Sequence, residues 1–130
     1  MTPELRYLAL SAALTALLAL PYLMDRILIR GILDAVGYPA NPKPQSPWAQ
    51  RLMKAHANAV ENLAVFAALI LVARAANLSN PMLQTAAAVY FWARVVHPIA
   101  YALAIPWLRT LAYIACYAAQ LFIAQQIIFQ

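Results

Sequence analysis

The chain has 130 residues, of which 65 % are apolar and only 10 % charged, and its formal net charge is +5. Soluble domains are about half apolar and about one quarter charged, and a short chain leaves much of its surface exposed. The composition therefore excludes a soluble globular domain, a disordered chain and a nucleic-acid-binding module. It indicates one membrane-embedded domain over residues 1–130. One cysteine excludes an internal disulfide, and no spacing typical of a metal site is present.

Four stretches are long and apolar enough to cross a bilayer, for which about 20 residues suffice. They run approximately over residues 5–29, 48–75, 81–105 and 106–129. Pro21 lies inside the first stretch and predicts a kink, because proline cannot donate to the helical hydrogen-bond ladder. Several prolines after that stretch predict an extended loop rather than a helix. The sequence thus predicts an all-α fold, a transmembrane four-helix bundle.

The connections between the later spans are short. Ser79 or Asn80 is placed to cap the third span, since both side chains can accept a hydrogen bond from a free helical N–H group. Ile105 is followed directly by Pro106, which leaves room only for a tight hairpin between the third and fourth spans.

Basic residues predict the orientation of the bundle in the membrane. Six lie on the side of the first loop and the last hairpin: Arg26, Arg30, Lys43, Arg51, Lys54 and Arg109. Two, Arg6 and Arg74, lie on the opposite side. The positive-inside rule then places the first loop in the cytoplasm and both termini on the opposite side. We expect a multi-pass integral membrane protein, most simply of a bacterial inner membrane, surrounded by membrane lipids.

Polar residues recur at helical spacing inside two of the spans. The second span carries Arg51, Lys54, Asn58 and Glu61, and the third carries Tyr90, Arg94, His97 and Tyr101. Spacings of three and four residues place each set along one face of its helix. Polar groups inside a bilayer are costly and mark functional positions. These two stripes are therefore the candidate site.

The two stripes also match in depth. In antiparallel helices, pairs with equal summed residue numbers lie at equal depth, and Glu61 with Arg94 has the same sum as Asn58 with His97. We expect a Glu61–Arg94 ion pair near mid-membrane, below a polar cleft that opens to the cytoplasm. An ion pair that merely joins two helices is the alternative. The other acidic residues, for which no role is predicted, are Glu4, Asp25 and Asp34.

The chemistry of the cleft is rich in cations. Arg51, Lys54 and Arg94 outnumber the single carboxylate of Glu61. Basic side chains hold carboxylates through charge-assisted hydrogen bonds, and a carboxylate holds an ammonium group. The cleft therefore suits a small anionic ligand that also carries an amine.

Two segments resemble the signature of the MAPEG family, the membrane-associated proteins in eicosanoid and glutathione metabolism. Residues 51–66 read RLMKAHANAVENLAVF and resemble the family's motif on the second helix, and residues 93–101 read ARVVHPIAY and resemble its motif on the third. The resemblance covers all four spans and is strongest over residues 48–109. It implies a homotrimer with sites between neighbouring subunits and glutathione as co-substrate.

The resemblance also implies roles for single residues in glutathione binding. Lys54 takes the place of a glutathione-binding arginine, Asn58 matches directly, and Glu61 would meet the amino group. His97 and Tyr101 match two tyrosine-type positions on the third helix. The further positions implied in glutathione binding are Arg26, Arg30, Arg51, His56, Asn62 and Arg94.

The leading functional hypothesis is a glutathione transferase or peroxidase. Its second substrate would be a lipophilic electrophile or lipid hydroperoxide that arrives through the bilayer. Tyr101 and Arg109 are the candidate catalytic residues, since a hydroxyl or a cation can stabilise the thiolate nucleophile. One alternative is a non-enzymatic, lipid-binding or regulatory trimer. Another is a small multidrug transporter. Such transporters have an essential glutamate in the first span, whereas Glu61 lies in the second span here, so this alternative is disfavoured.

Overall fold

The computed structural model describes all 130 residues, and every regular element in it is a helix. The helices are α1 (Pro3–Leu17), α2 (Ala19–Val36), α3 (Pro47–Ala75), α4 (Pro81–Ala102) and α5 (Pro106–Ile128). α1 and α2 follow one another with a single residue between them and together form the first rod of the bundle. The chain is thus a four-helix bundle, and the predicted all-α fold is confirmed.

The α1–α2 rod is interrupted twice. It breaks at Leu18, one turn before Pro21, because Pro21 has no N–H group to donate to the carbonyl of Leu17. Leu18 itself keeps helical backbone angles, so the kink expected at Pro21 stays a prediction. The second break is at Gly31, whose φ of 74° lies in the left-handed region. Helical structure continues beyond it to Val36, so the predicted end of the first span at residue 29 was too early.

Three segments are long and apolar enough to cross a membrane: Pro3–Val36, Pro47–Ala75 and Pro106–Ile128. The protein is therefore an integral, multi-pass membrane protein. α4 does not belong to this set, and the expected crossing over residues 81–105 stays a prediction. Its Gln84, Arg94 and His97 lower its hydropathy, and eight of its 22 residues are buried. α4 packs against α1, α3 and α5, most extensively against α5.

The apolar core occupies the half of the bundle where α4 begins. Phe66 of α3 and Tyr90 of α4 are stacked there with ring centroids 3.8 Å apart. Ile123 of α5 and Leu83 of α4 are fully buried beside them. Cys116 is also fully buried in this cluster, which agrees with a packing role. The polar residues of α4 are left to the other half, toward its C-terminal end.

Two buried carboxylates fasten the α1–α2 rod to the rest of the bundle. Glu4 accepts a hydrogen bond of 2.7 Å from the hydroxyl of Ser79 in the α3–α4 turn. Asp25 accepts from both the backbone N–H (3.0 Å) and the hydroxyl (2.6 Å) of Ser46, just before α3. No role was predicted for these acids. The structure shows that they hold opposite ends of the rod.

Side chains and left-handed residues close the two turns that flank α4. Asn80 caps α4 by accepting from the N–H of Leu83 at 2.8 Å, as predicted, whereas Ser79 serves Glu4. The predicted tight hairpin before α5 is confirmed, and Ala104 adopts a φ of 58° within it. Asn77 after α3 has a similar φ of 56°. The hairpin of residues 102–106 and the first loop mark what we call the hairpin end of the bundle.

Replacing Ala104 by glycine should stabilise the protein. A left-handed conformation costs a residue with a Cβ about 1–2 kcal/mol, and the greater freedom of glycine in the unfolded chain offsets part of this gain. We expect Ala104→Gly to raise the free energy of unfolding by about 0.5–1 kcal/mol in a denaturant titration in detergent. Asn77→Gly is the matched control and should change it less, since asparagine tolerates this conformation. Equal effects of both substitutions would contradict the argument.

Candidate functional site

A polar cavity of about 230 Å³ opens between α3, α4 and α5 near the hairpin end. It is lined by Asn58, His97, Tyr101, Arg109, Thr110 and Tyr113. The first four of these were predicted from the sequence, and the structure brings them together. A larger groove of about 500 Å³ lies between α4 and α5 in the other half of the bundle, but no titratable side chain lines it. The polar cavity is therefore the candidate site.

The polar stripe of α3 divides between two directions. Each residue advances about 100° around a helix, so Lys54 and Glu61 lie about 60° away from Arg51 and Asn58. Arg51 and Asn58 face the other helices and are half-buried, whereas Lys54 and Glu61 are exposed. The stripe thus has an inner edge at the cavity and an outer edge on the surface of the bundle.

Arg94 lies buried behind the cavity, with 3 % of its surface exposed. Its Nη1 donates to Oδ1 of Asn58 at 2.7 Å, and its Nε and Nη2 have no partner in the chain. Glu61 is on the exposed edge of α3, so the predicted Glu61–Arg94 ion pair is wrong within one chain. Matching depth did not suffice, because the two side chains point in different directions.

The contact with Arg94 fixes the orientation of Asn58. Because its Oδ1 accepts from the guanidinium, its Nδ2–H groups remain as donors at the cavity. The amide of Asn62, one turn further, donates to the carbonyl of Asn58 at 2.9 Å and accepts from Nε2 of Gln120 at 3.1 Å. Asn62 therefore joins α3 to α5 inside the bundle, and Asn58 presents its amide to a ligand.

Arg109, Tyr101 and His97 form the opposite wall of the cavity. The Cζ atom of Arg109 lies 5.0 Å from the centroid of the Tyr101 ring, a cation–π arrangement. The His97 ring meets the Tyr101 ring edge-on at 5.7 Å, and its Nδ1 is buried without a partner. Arg51 donates to the carbonyl of Ala102 at 3.0 Å, at the C-terminal end of α4, where a cation is favoured. This wall can stabilise an anion.

The remaining predicted residues lie on the other side of α3 and do not reach the cavity. Nε of Arg26 donates to Oε1 of Gln45 at 3.2 Å, and Nε of Arg30 donates to the carbonyl of Lys43 at 2.8 Å. Nδ1 of His56 lies 2.6 Å from the hydroxyl of Tyr22. Within one chain Arg26 and Arg30 join α2 to the first loop, and His56 joins α3 to α2.

The sequence of the whole chain identifies its family. The sequence model of the MAPEG family matches residues 7–129, nearly the whole chain. The chain belongs to the MAPEG family. No curated protein and no solved structure matches it. The match confirms the resemblance seen in the motifs of α3 and α4.

Two residues of the polar cavity in this MAPEG protein were not predicted from the sequence. Thr110 and Tyr113 line it from α5, next to Arg109. A signal for them exists, because Arg109, Tyr113 and Tyr117 recur every four residues and share a face of α5. The polar stripes were traced only on α3 and α4, and Arg109 was the one residue of α5 predicted for the site, so Thr110 and Tyr113 were missed.

Removing the partner of Arg94 should destabilise the protein. Asn58→Leu leaves a buried guanidinium with no hydrogen bond, and we expect a loss of about 2–3 kcal/mol in the free energy of unfolding. Arg94→Met alone should cost less, because it leaves only a neutral amide without a partner. The double variant Asn58→Leu/Arg94→Met should be more stable than the sum of the single losses by about 1–2 kcal/mol.

Denaturant unfolding in detergent measures this cycle. The matched control is Lys54→Leu with Arg94→Met, since Lys54 is an exposed cation on the same helix. The control pair should be additive. Additive losses in the Asn58 cycle would show that the 2.7 Å contact contributes nothing.

Proposed function

We propose that this MAPEG protein binds glutathione in the polar cavity and joins it, through its sulfur, to a lipophilic electrophile. The observation that carries the proposal is the cavity itself. It combines a cation beside a hydroxyl, Arg109 and Tyr101, with an amide donor, Asn58, that the buried Arg94 orients. The cavity lies at one end of a bundle of membrane-length helices, where a polar co-substrate from water and an apolar substrate from the bilayer can meet.

Glutathione carries two carboxylates, one amine and one thiol, and its charges exceed what the cavity of one chain can match. The outer edge of α3 supplies the missing groups, since Lys54 can pair with a carboxylate and Glu61 with the ammonium. Lysine does so as a point charge and lacks the planar fork of arginine. The proposed site therefore extends from the cavity onto this exposed edge.

A neighbouring copy would close that edge, which supports a homotrimer. Arg26, Arg30 and His56 lie on the opposite side of α3 from the cavity and are only partly buried. In a ring of identical chains, the far side of one subunit faces the near side of the next. We propose that these three residues serve the neighbour's site rather than their own.

The proposed topology agrees with the chemistry. The cavity opens near the hairpin end, which is also the end with most basic residues. The positive-inside rule places that end in the cytoplasm, the compartment that holds reduced glutathione.

The proposed reaction begins with the thiolate. A free thiol of this kind has a pKa of about 8.5, so stabilisation of the thiolate raises the fraction that can react near neutral pH. Arg109 supplies positive charge and Tyr101 a hydroxyl donor. With an aryl halide, the sulfur–carbon bond forms, the halide leaves with the bonding pair, and the thiol proton passes to water. With a hydroperoxide, two glutathione molecules give the disulfide, the alcohol and water.

The apolar groove between α4 and α5 supports a second candidate function. It holds about 500 Å³ and is lined mainly by Ala86, Ala115, Ala118, Val89 and Phe122 among its apolar residues. Such a groove in a membrane helix bundle suits an acyl chain. A non-enzymatic, lipid-binding protein would use this groove and would not depend on glutathione.

Glutathione should protect the purified protein against heat. Ligands that bind only the native state raise its stability in proportion to the logarithm of their concentration over Kd. We expect a rise in Tm with glutathione, and in Arg109→Gln about tenfold more glutathione for the same rise. The matched control is Arg74→Gln, an exposed arginine at the opposite end of the bundle, which should respond like the wild type. No rise in the wild-type protein would favour the non-enzymatic candidate.

Arg109 should also set the pH dependence of transfer. If its charge stabilises the thiolate, its removal by Arg109→Gln should move the midpoint of the kcat/KM profile up, toward about 8.5. Activity is then lost below that midpoint, because the thiol there stays protonated. Arg109→Lys keeps the charge and should keep most of the shift. The measurement uses a chlorodinitrobenzene acceptor and the ultraviolet absorption of the bound thiolate, and an unchanged midpoint in Arg109→Gln would remove Arg109 from this role.

A further inference from the structure

The α1–α2 rod is longer than a crossing of the bilayer requires. Glu4, bonded to Ser79, and Asp25, bonded to Ser46, lie about 32 Å apart along the rod at about 1.5 Å per residue. The hydrocarbon core is roughly 30 Å thick, so the distance between these two attachments already matches it. α2 nevertheless continues past Asp25 to Val36. Its last part therefore lies at or beyond the bilayer surface at the hairpin end.

The residues that follow Gly31 are apolar and exposed. We call residues 32–38 the distal segment. Within it Leu33 is 81 % exposed and Val36 is 75 % exposed, and Ile32 and Tyr38 are exposed as well. A straight helix would carry residues 32–36 about 10–17 Å past Asp25, whereas the polar headgroup region is only about 5–8 Å deep on each side. A straight course would thus leave these apolar side chains in water.

Gly31 prevents that straight course. Its φ of 74° and ψ of 160° lie in a backbone region that essentially only glycine populates, and α2 is kinked there. A Cβ atom at this position would meet no other atom within 4 Å, so close packing does not require glycine. The backbone conformation alone requires it, and that conformation directs the distal segment away from the axis of α2.

The helical part of the distal segment is amphipathic. At about 100° per residue, Ile32, Leu33 and Val36 lie within one sector of about 100°, and Asp34 lies on the opposite side. Helices that lie in a membrane interface have this pattern, with apolar side chains toward the acyl chains and charged ones toward water. The segment also follows directly on the exposed apolar surface that α2 presents to the bilayer, for example at Met24.

We propose that the distal segment lies along the surface of the bilayer and inserts Ile32, Leu33 and Val36 between the lipid headgroups. Gly31 provides the bend that brings it there. The apolar sector is thus covered by lipid and not by a second protein. Tyr38 at the end of the segment agrees with the preference of tyrosine for the membrane interface. This lipid contact is separate from the polar cavity and does not depend on glutathione.

Spin labels measure the depth of the distal segment in the full-length protein. Cys116→Ala removes the only cysteine, and Leu33→Cys, Val36→Cys or Asp34→Cys then carries a single nitroxide in phosphatidylcholine vesicles. Oxygen collides with labels in lipid, and a nickel chelate collides with labels in water. We expect the ratio of oxygen to nickel collisions to be roughly three- to tenfold higher for Leu33→Cys and Val36→Cys than for the control, Asp34→Cys.

Gly31→Ala tests the bend in the same experiment. Alanine does not populate the backbone region of Gly31, so α2 should continue straight and the ratio for Leu33→Cys should fall to that of Asp34→Cys. A ratio unchanged by Gly31→Ala would remove Gly31 from this role. With Gly31 in place, nickel collisions that are as frequent at Leu33→Cys and Val36→Cys as at Asp34→Cys would overturn the proposal. Labels shielded from both probes would also overturn it, because they would place another protein surface on the apolar sector.

Discussion

The guanidinium of Arg94 is the constraint around which the functional half of this protein is arranged. A buried charge is costly unless its surroundings satisfy it, and here one hydrogen bond to Asn58 supplies a direct partner within the chain. α4 can carry this residue only because α1, α3 and α5 shield it from lipid. The cavity forms where the polar side chains of α4 meet α3 and α5.

The bundle divides into an apolar half and a polar half because Arg94 and the other polar side chains of α4 lie toward its C-terminal end. Where α4 begins, its small and apolar side chains pack closely against Phe66 and Ile123, and the bundle is a dry core. Where it ends, Arg94, His97 and Tyr101 replace them. The core supplies rigidity for a cavity whose own walls are joined by few direct contacts, and the hydrogen bond from Gln120 to Asn62 joins α5 to α3.

Apolar stretches predicted the helices, residue type offered Ser79 or Asn80 as the cap, and the Ile105–Pro106 junction predicted the hairpin. The family resemblance pointed to Arg109, and periodicity in the sequence predicted Asn58, His97 and Tyr101 of the cavity. It also predicted that Glu61 and Arg94 share a depth, but depth is only one of two coordinates on a helix. Glu61 is rotated about 60° around α3 from Asn58, so Asn58 and not Glu61 faces Arg94. The sequence does not show which of the two directions faces α4, because that depends on how the helices pack. Asp25 and Glu4 were underestimated for a related reason, because their partners, Ser46 and Ser79, are distant in sequence and lie in turns.

The fastening of the α1–α2 rod by those two carboxylates limits where it can bend. Between Glu4 and Asp25 the helical hydrogen-bond ladder is interrupted at Leu18 and nowhere else among the breaks described. The rod is thus attached to the rest of the bundle on both sides of this interruption, by Glu4 before it and by Asp25 after it. The interruption lies beside a cavity that Leu18 lines together with Leu52 and Ile99.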